Sequence, residues 1–318
     1  MKTLTRTEVA DFLRNHDHYC ILSHRRPDGD TIGSSAALCR GLRLLGKTAH
    51  VLRNGEVSDR FQWLHEGLTK EAYEEGDTVV SVDVASPGML PEDFKPLLGK
   101  IDLRIDHHGS ATSFSECELV EPETAACAEI IWDLLRMMGM DLNKDVAEAV
   151  YVGTSTDTGC FRFANTNAHT FRVAADCAQA GAEIYRMNQE LFETNSLGRL
   201  RMQAWIVENI KMLRCGSMAI CAIPRAVEEE IGVNEDDMDN ISSFPRTVAG
   251  VCMAATIREN KDGSCKLSVR AVPGYDATRI AVKFGGGGHK GAAGASIKLP
   301  LAEAAKALED IMLEGCCG

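Results

Sequence analysis

Six side chains are candidate ligands for divalent metal ions, and each follows or interrupts a hydrophobic segment. Carboxylate and imidazole donors without a thiolate suit borderline-to-hard ions such as Mn²⁺ or Mg²⁺ better than structural zinc. Six ligands exceed what one catalytic ion can use while it keeps open positions, so they favour two ions about 3.5–4 Å apart that share a carboxylate. The candidates are His24, Asp28, Asp30, Asp83, His107 and Asp157.

The first three candidates lie in the string HRRPDGDTIGSS, between a predicted buried strand over 19–23 and a predicted helix over 31–45. A strand–loop–helix junction directs the loop side chains toward one point, and the amino end of the helix attracts an anion. Two acids two residues apart are also typical of an Asx-turn that caps a helix. The histidine four residues before Asp28 favours a metal site, with the cap as an alternative.

Asp83 and Asp157 are acids placed where hydrophobic segments meet polar ones. Asp83 lies near the carboxyl end of TVVSVDV (78–84), a predicted central strand in which a buried carboxylate needs partners. Asp157 lies in GTSTDTG (153–159), which its glycines and hydroxyl residues predict to be a polar turn after an apolar segment. A metal ion would give both carboxylates a partner.

The segment LRIDHHGS places an acid and two imidazoles directly after a predicted strand over 101–105. Open α/β sheets bind their ligands at the carboxyl ends of their strands. Asp106, His107 and His108 are equally compatible with a solvated polar turn, so the triplet alone leaves both interpretations open. Its combination with the other acids favours a site.

Alternating apolar segments and helical patterns up to about residue 187 predict an α/β fold with a doubly wound, mainly parallel sheet. We predict a metal-binding catalytic domain over 1–187, a helical linker over 188–213 and a smaller α/β domain over 214–318. Such a sheet brings strand ends together along one crevice. Each candidate ligand is therefore expected at a strand end or in the loop that follows.

The C-terminal part contains FGGGGHKGAAG, in which four glycines precede a histidine and a lysine. Backbone N–H groups exposed by glycines can hold an anion, but a glycine run is also typical of a flexible loop. An arginine in the same predicted domain favours the anion site. Its candidate residues are Arg270, Gly286, Gly287, Gly288 and His289.

Composition excludes some function classes. The net charge of −12 argues against binding to long duplex nucleic acid, although a small pocket for a short anion remains compatible with it.

The first residues lack the apolar stretch of a secretion signal, and no segment has transmembrane length. The twelve cysteines are scattered and are expected to be reduced thiols, so we expect a cytoplasmic protein. Cys316 and Cys317 form either a surface redox pair or part of a frayed terminus.

Taken in order, these motifs resemble those of a known family. HxxxDxD at residues 24–30, Asp83, the DHH triplet at 106–108 and Asp157 are similar to the four N-terminal motifs of the DHH phosphoesterase superfamily, and GGGGHKGAAG resembles its associated C-terminal domain. Length and domain plan most resemble the nanoRNase/pAp-phosphatase group, whose members degrade very short oligonucleotides and dephosphorylate 3′-phosphoadenosine 5′-phosphate (pAp). The resemblance implies a hydrolase of short single-stranded oligonucleotides or small phosphorylated nucleotides. No membrane partner is expected, and the sequence leaves the oligomeric state open, with a homodimer as one candidate.

The resemblance also implies two divalent ions, preferably Mn²⁺, with Mg²⁺ as the alternative. Asp83 would bridge them. The ligands of one ion would be His24, Asp28 and Asp83, and those of the other would be Asp30, Asp83, His107 and Asp157.

Two further roles follow from the same resemblance. His108 would face the scissile phosphate as a donor or general acid, and Asp106 would orient its neighbours. Arg270 and residues 286–289 would hold the terminal phosphate or nucleotide of the substrate. Together with the bridging Asp83, His108 and Asp106 form the predicted catalytic set.

Other functions compete with this one. A cyclic or linear dinucleotide phosphodiesterase of the same superfamily is the nearest alternative. A RecJ-like exonuclease would need an additional nucleic-acid-binding module, and a family II pyrophosphatase would lack the glycine-rich C-terminal stretch. A non-catalytic nucleotide-binding module is a remote alternative because the ligand set is intact.

Overall fold

The computed structural model describes residues 1–109, 112–141, 143–235, 237–238 and 240–314. These residues form two compact units, Met1–Thr194 and the part of the chain from Asn195 onward. The boundary falls inside the stretch 188–213 that the sequence assigns to a linker. Cys316 and Cys317 lie outside the described residues.

The first unit is built on a seven-stranded sheet whose pairs are all parallel. Its strands are β1 (Lys2–Thr3), β2 (Tyr19–Leu22), β3 (Ala49–Leu52), β4 (Thr69–Lys70), β5 (Thr78–Val82), β6 (Ile101–Asp106) and β7 (Cys117–Val120). Its helices are α1 (Arg6–Asn15), α2 (Gly29–Leu44), α3 (Cys127–Met137), α4 (Lys144–Asp157), α5 (Ala168–Gln179) and α6 (Ile184–Asn188). The 3₁₀ segments are Gln62–His65, Pro87–Met89 and Glu92–Lys100, and a π-helical turn spans Gln189–Glu193.

The strand order β1-β7-β6-β5-β2-β3-β4 explains where a site forms. From β2 the chain continues to β3 and β4 on one side, then returns to β5 and builds outward through β6 and β7 on the other. The order therefore reverses between β2 and β5. Ligands of doubly wound sheets bind beyond the carboxyl ends of the strands at such a reversal.

Hydrophobic strands bury both faces of this sheet, as the near-continuous apolar runs predict. One face packs against the helices, with Ile21 of β2 and Leu38 of α2 fully buried. On the other face, Cys20 and Leu22 pack against Phe94 and other apolar side chains of the 3₁₀ layer. The predicted doubly wound, parallel α/β fold is thus confirmed.

The second unit contains a mixed six-stranded sheet in the order β12-β13-β11-β10-β9-β8, in which only the β9–β10 pair is parallel among the described strands. Its strands are β8 (Lys211–Leu213), β9 (Met218–Ile223), β10 (Met253–Glu259), β11 (Cys265–Ala271), β12 (Gly287–His289) and β13 (Ala292–Ile297). Its helices are α7 (Leu197–Asn209), α8 (Arg225–Ile231), α9 (Thr278–Ala281) and α10 (Leu301–Glu314). Its 3₁₀ segments are Arg214–Gly216, Ile241–Thr247 and Val282–Phe284.

The prediction of a polar turn over 153–159 is wrong for its first five residues, which continue α4 to Asp157. Glycine and hydroxyl residues suggest a turn, but here the hydroxyls bond back within the helix. Thr156 Oγ1 donates to the carbonyl oxygen of Val152 at 2.8 Å.

Within the described residues, no helix is long and apolar enough to cross a membrane.

Candidate metal centre

His24 follows β2 and is almost completely buried. Its Nδ1–H donates to the carbonyl oxygen of Arg25 at 2.8 Å, which fixes the ring and leaves Nε2 facing the acids. Nε2 lies 3.8 Å from Asp28 Oδ1 and 3.7 Å from Asp83 Oδ2. The side-chain amide of Asn54 donates to the carbonyl oxygen of His24 at 2.8 Å and so holds this loop.

Asp28 is the N-cap of α2. Its Oδ1 accepts from the backbone N–H groups of Asp30 and Thr31, both at 3.1 Å. The capping role that the sequence left open is therefore present. The same oxygen faces His24, so capping fixes the carboxylate in the orientation that a metal site would need.

Asp30 is buried in the first turn of α2 and points at the amino end of α3. Its Oδ2 accepts from the backbone N–H of Cys127 at 2.6 Å, and its Oδ1 accepts from that of Ala128 at 2.9 Å. Ser34 Oγ also donates to Oδ1, at 3.1 Å. Burial raises the pKa of Asp30 despite these donors.

Asp83 follows β5 with a left-handed backbone, at φ +58°. This is a strained conformation for a residue other than glycine, and strain of this kind clusters at functional sites. Thr31 Oγ1 donates to Asp83 Oδ2 at 2.5 Å, while Oδ1 is buried without a hydrogen-bond partner among the described residues. Burial, and then the charges of Asp30, Asp28 and Asp157, raise the pKa of Asp83 well above its usual value. A cation would relieve both effects.

His107 joins three of these acids. Its Nδ1–H donates to the carbonyl oxygen of Thr124 at 3.1 Å. Nε2 lies 3.6 Å from Asp30 Oδ2, 3.5 Å from Asp83 Oδ1 and 3.5 Å from Asp157 Oδ2. Burial lowers the pKa of His107, but the negative charges of Asp30 and Asp157 outweigh it, so the net shift is upward.

His108 is held differently from its neighbour. Its Nδ1–H donates to Asp106 Oδ1 at 2.7 Å, and Nδ1 lies 3.5 Å from Asp83 Oδ1. The backbone N–H groups of His107 and His108 donate to the same Asp106 oxygen at 2.8 and 3.2 Å. Although burial raises the pKa of Asp106, the hydrogen bonds and charge of His108 lower it overall. The His108 side chain is 27% exposed against 13% for His107, so it is the more accessible imidazole.

Asp157 lies in the last turn of α4 and Asp30 in the first turn of α2, so the expectation that every candidate sits at a strand end or in the following loop is wrong for these two residues. The Asp157 carboxylate reaches the cluster because α2 and α4 pack closely. A Cβ on Gly33 would lie 2.4 Å from the carbonyl oxygen of Ala149, and one on Gly153 would lie 2.9 Å from Asp30 Oδ1. Burial raises the pKa of Asp157 well above its usual value.

The structure brings all six candidates together in overlapping groups whose donor atoms lie within 4.8 Å of one another. The facing imidazole nitrogens and carboxylate oxygens are 3.5–3.8 Å apart, which is too long for hydrogen bonds and close to the spacing of ligands around a shared ion. The donor set and the orphaned Asp83 oxygen therefore fit divalent ions. The groups are His24 with Asp28 and Asp83; Asp30 with His107 and Asp157; and Asp83 with His107 and His108.

Several residues that position this site were missed from the sequence. Thr31 orients Asp83, and its place in the first turn of α2, beside the acids, was an available signal. Asn54 and Thr124 act on His24 and His107 through carbonyl contacts that no local pattern reveals.

The substrate-binding candidates all lie in the second unit. Ala292 of β13 pairs with Arg270 on one side and His289 on the other, so both side chains belong to one row across three strands. Opposed residues share a sheet face, and two strand spacings separate them by about 9.5 Å. A small residue between them leaves this face open.

Part of the glycine stretch is a strand, since Gly287–His289 form β12. The stretch is therefore not a flexible loop, and its backbone is not available along its whole length to bind an anion. Gly286 and Gly288 are needed for this pairing. A Cβ on them would lie 2.1 Å from the carbonyl oxygen of Gly294 and 2.5 Å from that of Ala292, respectively. Within the described residues β12 is an edge strand, and edge strands present unpaired N–H groups. The binding role of these residues stays a prediction.

Residues 18–154 match the DHH family, N-terminal domain, and residues 217–314 match the DHHA1 domain. Over 281 residues the chain is 34% identical to the bifunctional oligoribonuclease and PAP phosphatase NrnA of Thermus thermophilus, covering 87% of this chain and 83% of the relative. The chain belongs to the DHH family. The protein of the same name from Bacillus subtilis is 26% identical over 297 residues, with 92% and 93% coverage.

Solved structures share the fold of this chain. An exopolyphosphatase-related protein from Bacteroides fragilis superposes with a TM-score of 0.87 at 25% identity over 96% of both chains. Exonuclease RecJ bound to manganese superposes with a TM-score of 0.54 at 16% identity over 99% of this chain and 96% of that one. The second likeness concerns the fold alone.

Proposed function

We propose that this protein is a metal-dependent phosphoesterase that hydrolyses short oligonucleotides to mononucleotides and removes a phosphate from pAp to give AMP. The observation that carries this proposal is the convergence of four carboxylates and two imidazoles around the orphaned Asp83 oxygen. The names of the relatives from Thermus thermophilus and Bacillus subtilis support the same two activities.

Two divalent ions, preferably Mn²⁺, would occupy the cluster. When bound, such ions lower the pKa of a water molecule and neutralise charge on phosphate oxygens. Asp83 would contact both ions because it belongs to groups on either side of the cluster. The ligands of the first ion would be His24, Asp28 and Asp83, and those of the second would be Asp30, Asp83, His107 and Asp157.

His108 is the proposed donor to the substrate. Its Nδ1–H is engaged by Asp106, so Nε2 is the atom that can hydrogen-bond a phosphate or protonate the leaving oxygen. Asp106 fixes the ring orientation through one oxygen that accepts three N–H groups. Its lowered pKa keeps it ionised, so it can stabilise an imidazolium.

In the second unit, we assign the terminal phosphate of the substrate to Arg270 and His289, with backbone N–H groups of residues 286–288. A guanidinium group binds phosphate oxygens through two parallel hydrogen bonds. The shared row of Arg270 and His289 supports a common anionic ligand. Preference for short substrates is consistent with the net charge of −12.

The test is a product time course on labelled oligoribonucleotides of about 2–10 nucleotides beside pAp, with Mn²⁺, Mg²⁺ or chelator. We expect Mn²⁺-dependent release of mononucleotides, fastest for the shortest chains, and of AMP from pAp. Absence of product in both metals, with substrate bound, would instead identify a non-catalytic nucleotide-binding module.

A cyclic or linear dinucleotide phosphodiesterase is the second candidate. The cyclic-di-AMP phosphodiesterase PdeA of Listeria monocytogenes is 26% identical over 94% of this chain, but the match covers only 48% of that relative. Turnover of cyclic di-AMP above that of pAp and linear dinucleotides would favour it. The cytoplasmic location and the homodimer stay predictions.

A further inference from the structure

A second group of side chains of metal-ligating types lies at the amino ends of the strands of the first sheet, opposite the acidic cluster. Cys20 and His50 are paired residues near the amino ends of β2 and β3, and Asp77 immediately precedes β5. Because β5 is the other neighbour of β2, the three residues lie on or directly before three adjacent strands. His24 lies four residues beyond Cys20, about 13 Å along an extended chain, so this group is separate from the acidic cluster.

The donor atoms of this group face one another. One ligand atom from each residue lies within 4.8 Å of the other two, and His50 Nε2 is 3.6 Å from Asp77 Oδ2. Cys20 is fully buried, His50 is 1% exposed and the Asp77 side chain is 5% exposed. The backbone N–H of Glu74 donates to Asp77 Oδ2 at 3.0 Å and so orients the carboxylate.

His50 is the observation that calls for a ligand. Neither ring nitrogen has a hydrogen-bond partner among the described residues. A buried polar group without a partner destabilises the folded state, and such groups are rare in folded proteins. An ordinary ion pair with Asp77 is an inadequate explanation, because the separation is too long for a hydrogen bond and burial lowers the pKa of His50.

We propose that Cys20, His50 and Asp77 bind a zinc ion that ties β2, β3 and the turn before β5 together. Thiolate, imidazole and carboxylate are the ligands that zinc takes, and a water molecule would complete a tetrahedral site. Zinc–ligand bonds of about 2.0–2.3 Å place ligand atoms roughly 3.3–3.8 Å apart, and the His50–Asp77 separation already fits.

Binding would exchange a proton for the metal. Burial raises the pKa of the Cys20 thiol to about 12, so the sulfur is protonated before zinc binds. The S–H bond breaks, its proton passes to solvent and the thiolate electron pair forms the bond to zinc. The acidic cluster contributes only oxygen and nitrogen ligands, so sulfur coordination distinguishes the two sites.

Cobalt is the probe, because thiolate-bound Co²⁺ absorbs in the near ultraviolet. Full-length protein stripped with chelator is titrated with Co²⁺, and Zn²⁺ is then added as a competitor. We expect one sulfur-bound equivalent that Zn²⁺ displaces, absent from Cys20→Ser and retained in Cys39→Ser, a matched fully buried cysteine of α2. An Asp83→Asn variant should also retain it.

A second variant guards against misfolding of Cys20→Ser. Loss of even an outer partner weakens metal binding by roughly 10–100-fold, so Asp77→Asn should lower the Zn²⁺ affinity by at least that factor. Zn²⁺ should raise the Tm of the wild-type protein and shift that of Asp77→Asn much less. No sulfur-to-cobalt band in the folded wild-type protein, or a band that persists in Cys20→Ser, would overturn the proposal.

Discussion

The acidic cluster of the first unit and the glycine-bearing edge of the second unit differ in how firmly their side chains are held. Around Asp83, most functional groups are buried or half-buried, and most already have a fixed hydrogen-bond partner, with Asp28 as the exposed member. His289 and its neighbouring glycines are instead exposed on an edge strand. The first arrangement suits chemistry that depends on atomic positions, whereas the second suits recognition of varied short substrates.

Loss of the shared carboxylate should have the largest effect. Asp83→Asn removes the charge between the proposed ions, and metal ions contribute several kcal/mol, so we expect roughly a 10³-fold or larger fall in kcat. Rates on pAp and a dinucleotide, with bound Mn²⁺ measured in parallel, check this. Asp93→Asn, at an exposed acid of the 3₁₀ layer, is the control. Normal turnover by Asp83→Asn would contradict the bridge.

His108→Gln should lower kcat on the order of 10²-fold and leave KM nearly unchanged, because a general acid acts only as the bond breaks. Asp106→Asn should give a smaller loss of the same kind, because the amide oxygen can still accept from the ring N–H and only the negative charge beside the imidazole is lost. Steady-state kinetics of both variants test this order. Equal increases in KM would instead show that His108 serves binding.

Substitutions in the second unit should change KM and not kcat, the reverse of the pattern expected for His108. Arg270→Ala removes a charged hydrogen-bond donor that contributes roughly tenfold or more to substrate binding. We therefore expect KM to rise by that factor while kcat is largely retained. Lys266→Ala is a matched control on the same strand, at an exposed position of the same alternation. If both variants raise KM equally, general charge attraction, not a specific phosphate contact, explains the effect.

The smallest effect on catalysis is expected from the helix contact behind the cluster. Gly33→Ala forces a methyl group against α4 and should destabilise the fold by about 1–3 kcal/mol, with a several-fold loss of activity as Asp157 shifts. Gly99→Ala, where a Cβ meets nothing within 4 Å, is the control. Thermal unfolding of the two variants makes the comparison. An unchanged Tm for Gly33→Ala would show that α2 can move away from α4 without loss of stability, which would contradict this prediction.

Comparing individual residues shows which features of the sites could be predicted from the sequence and which could not. Asp83 was predictable as a site residue because a buried carboxylate next to a valine-rich run demands a partner, although β5 ends at Val82 and Asp83 follows the strand instead of lying within it. The helical position of Asp157 was not, because Gly153 and its hydroxyl neighbours resemble a turn until α2 is seen packed against them. Likewise, β12 depends on the small residues of β13, a pairing between segments that no local glycine pattern encodes.

The bonds from Cys127 and Ala128 to Asp30 have a further consequence. The start of α3 and the acidic cluster share a carboxylate, so fraying of one must disturb the other. These two amides are thus natural reporters of ion occupancy. Their hydrogen exchange should slow as Mn²⁺ is added, which gives the cluster a readout that requires no substrate.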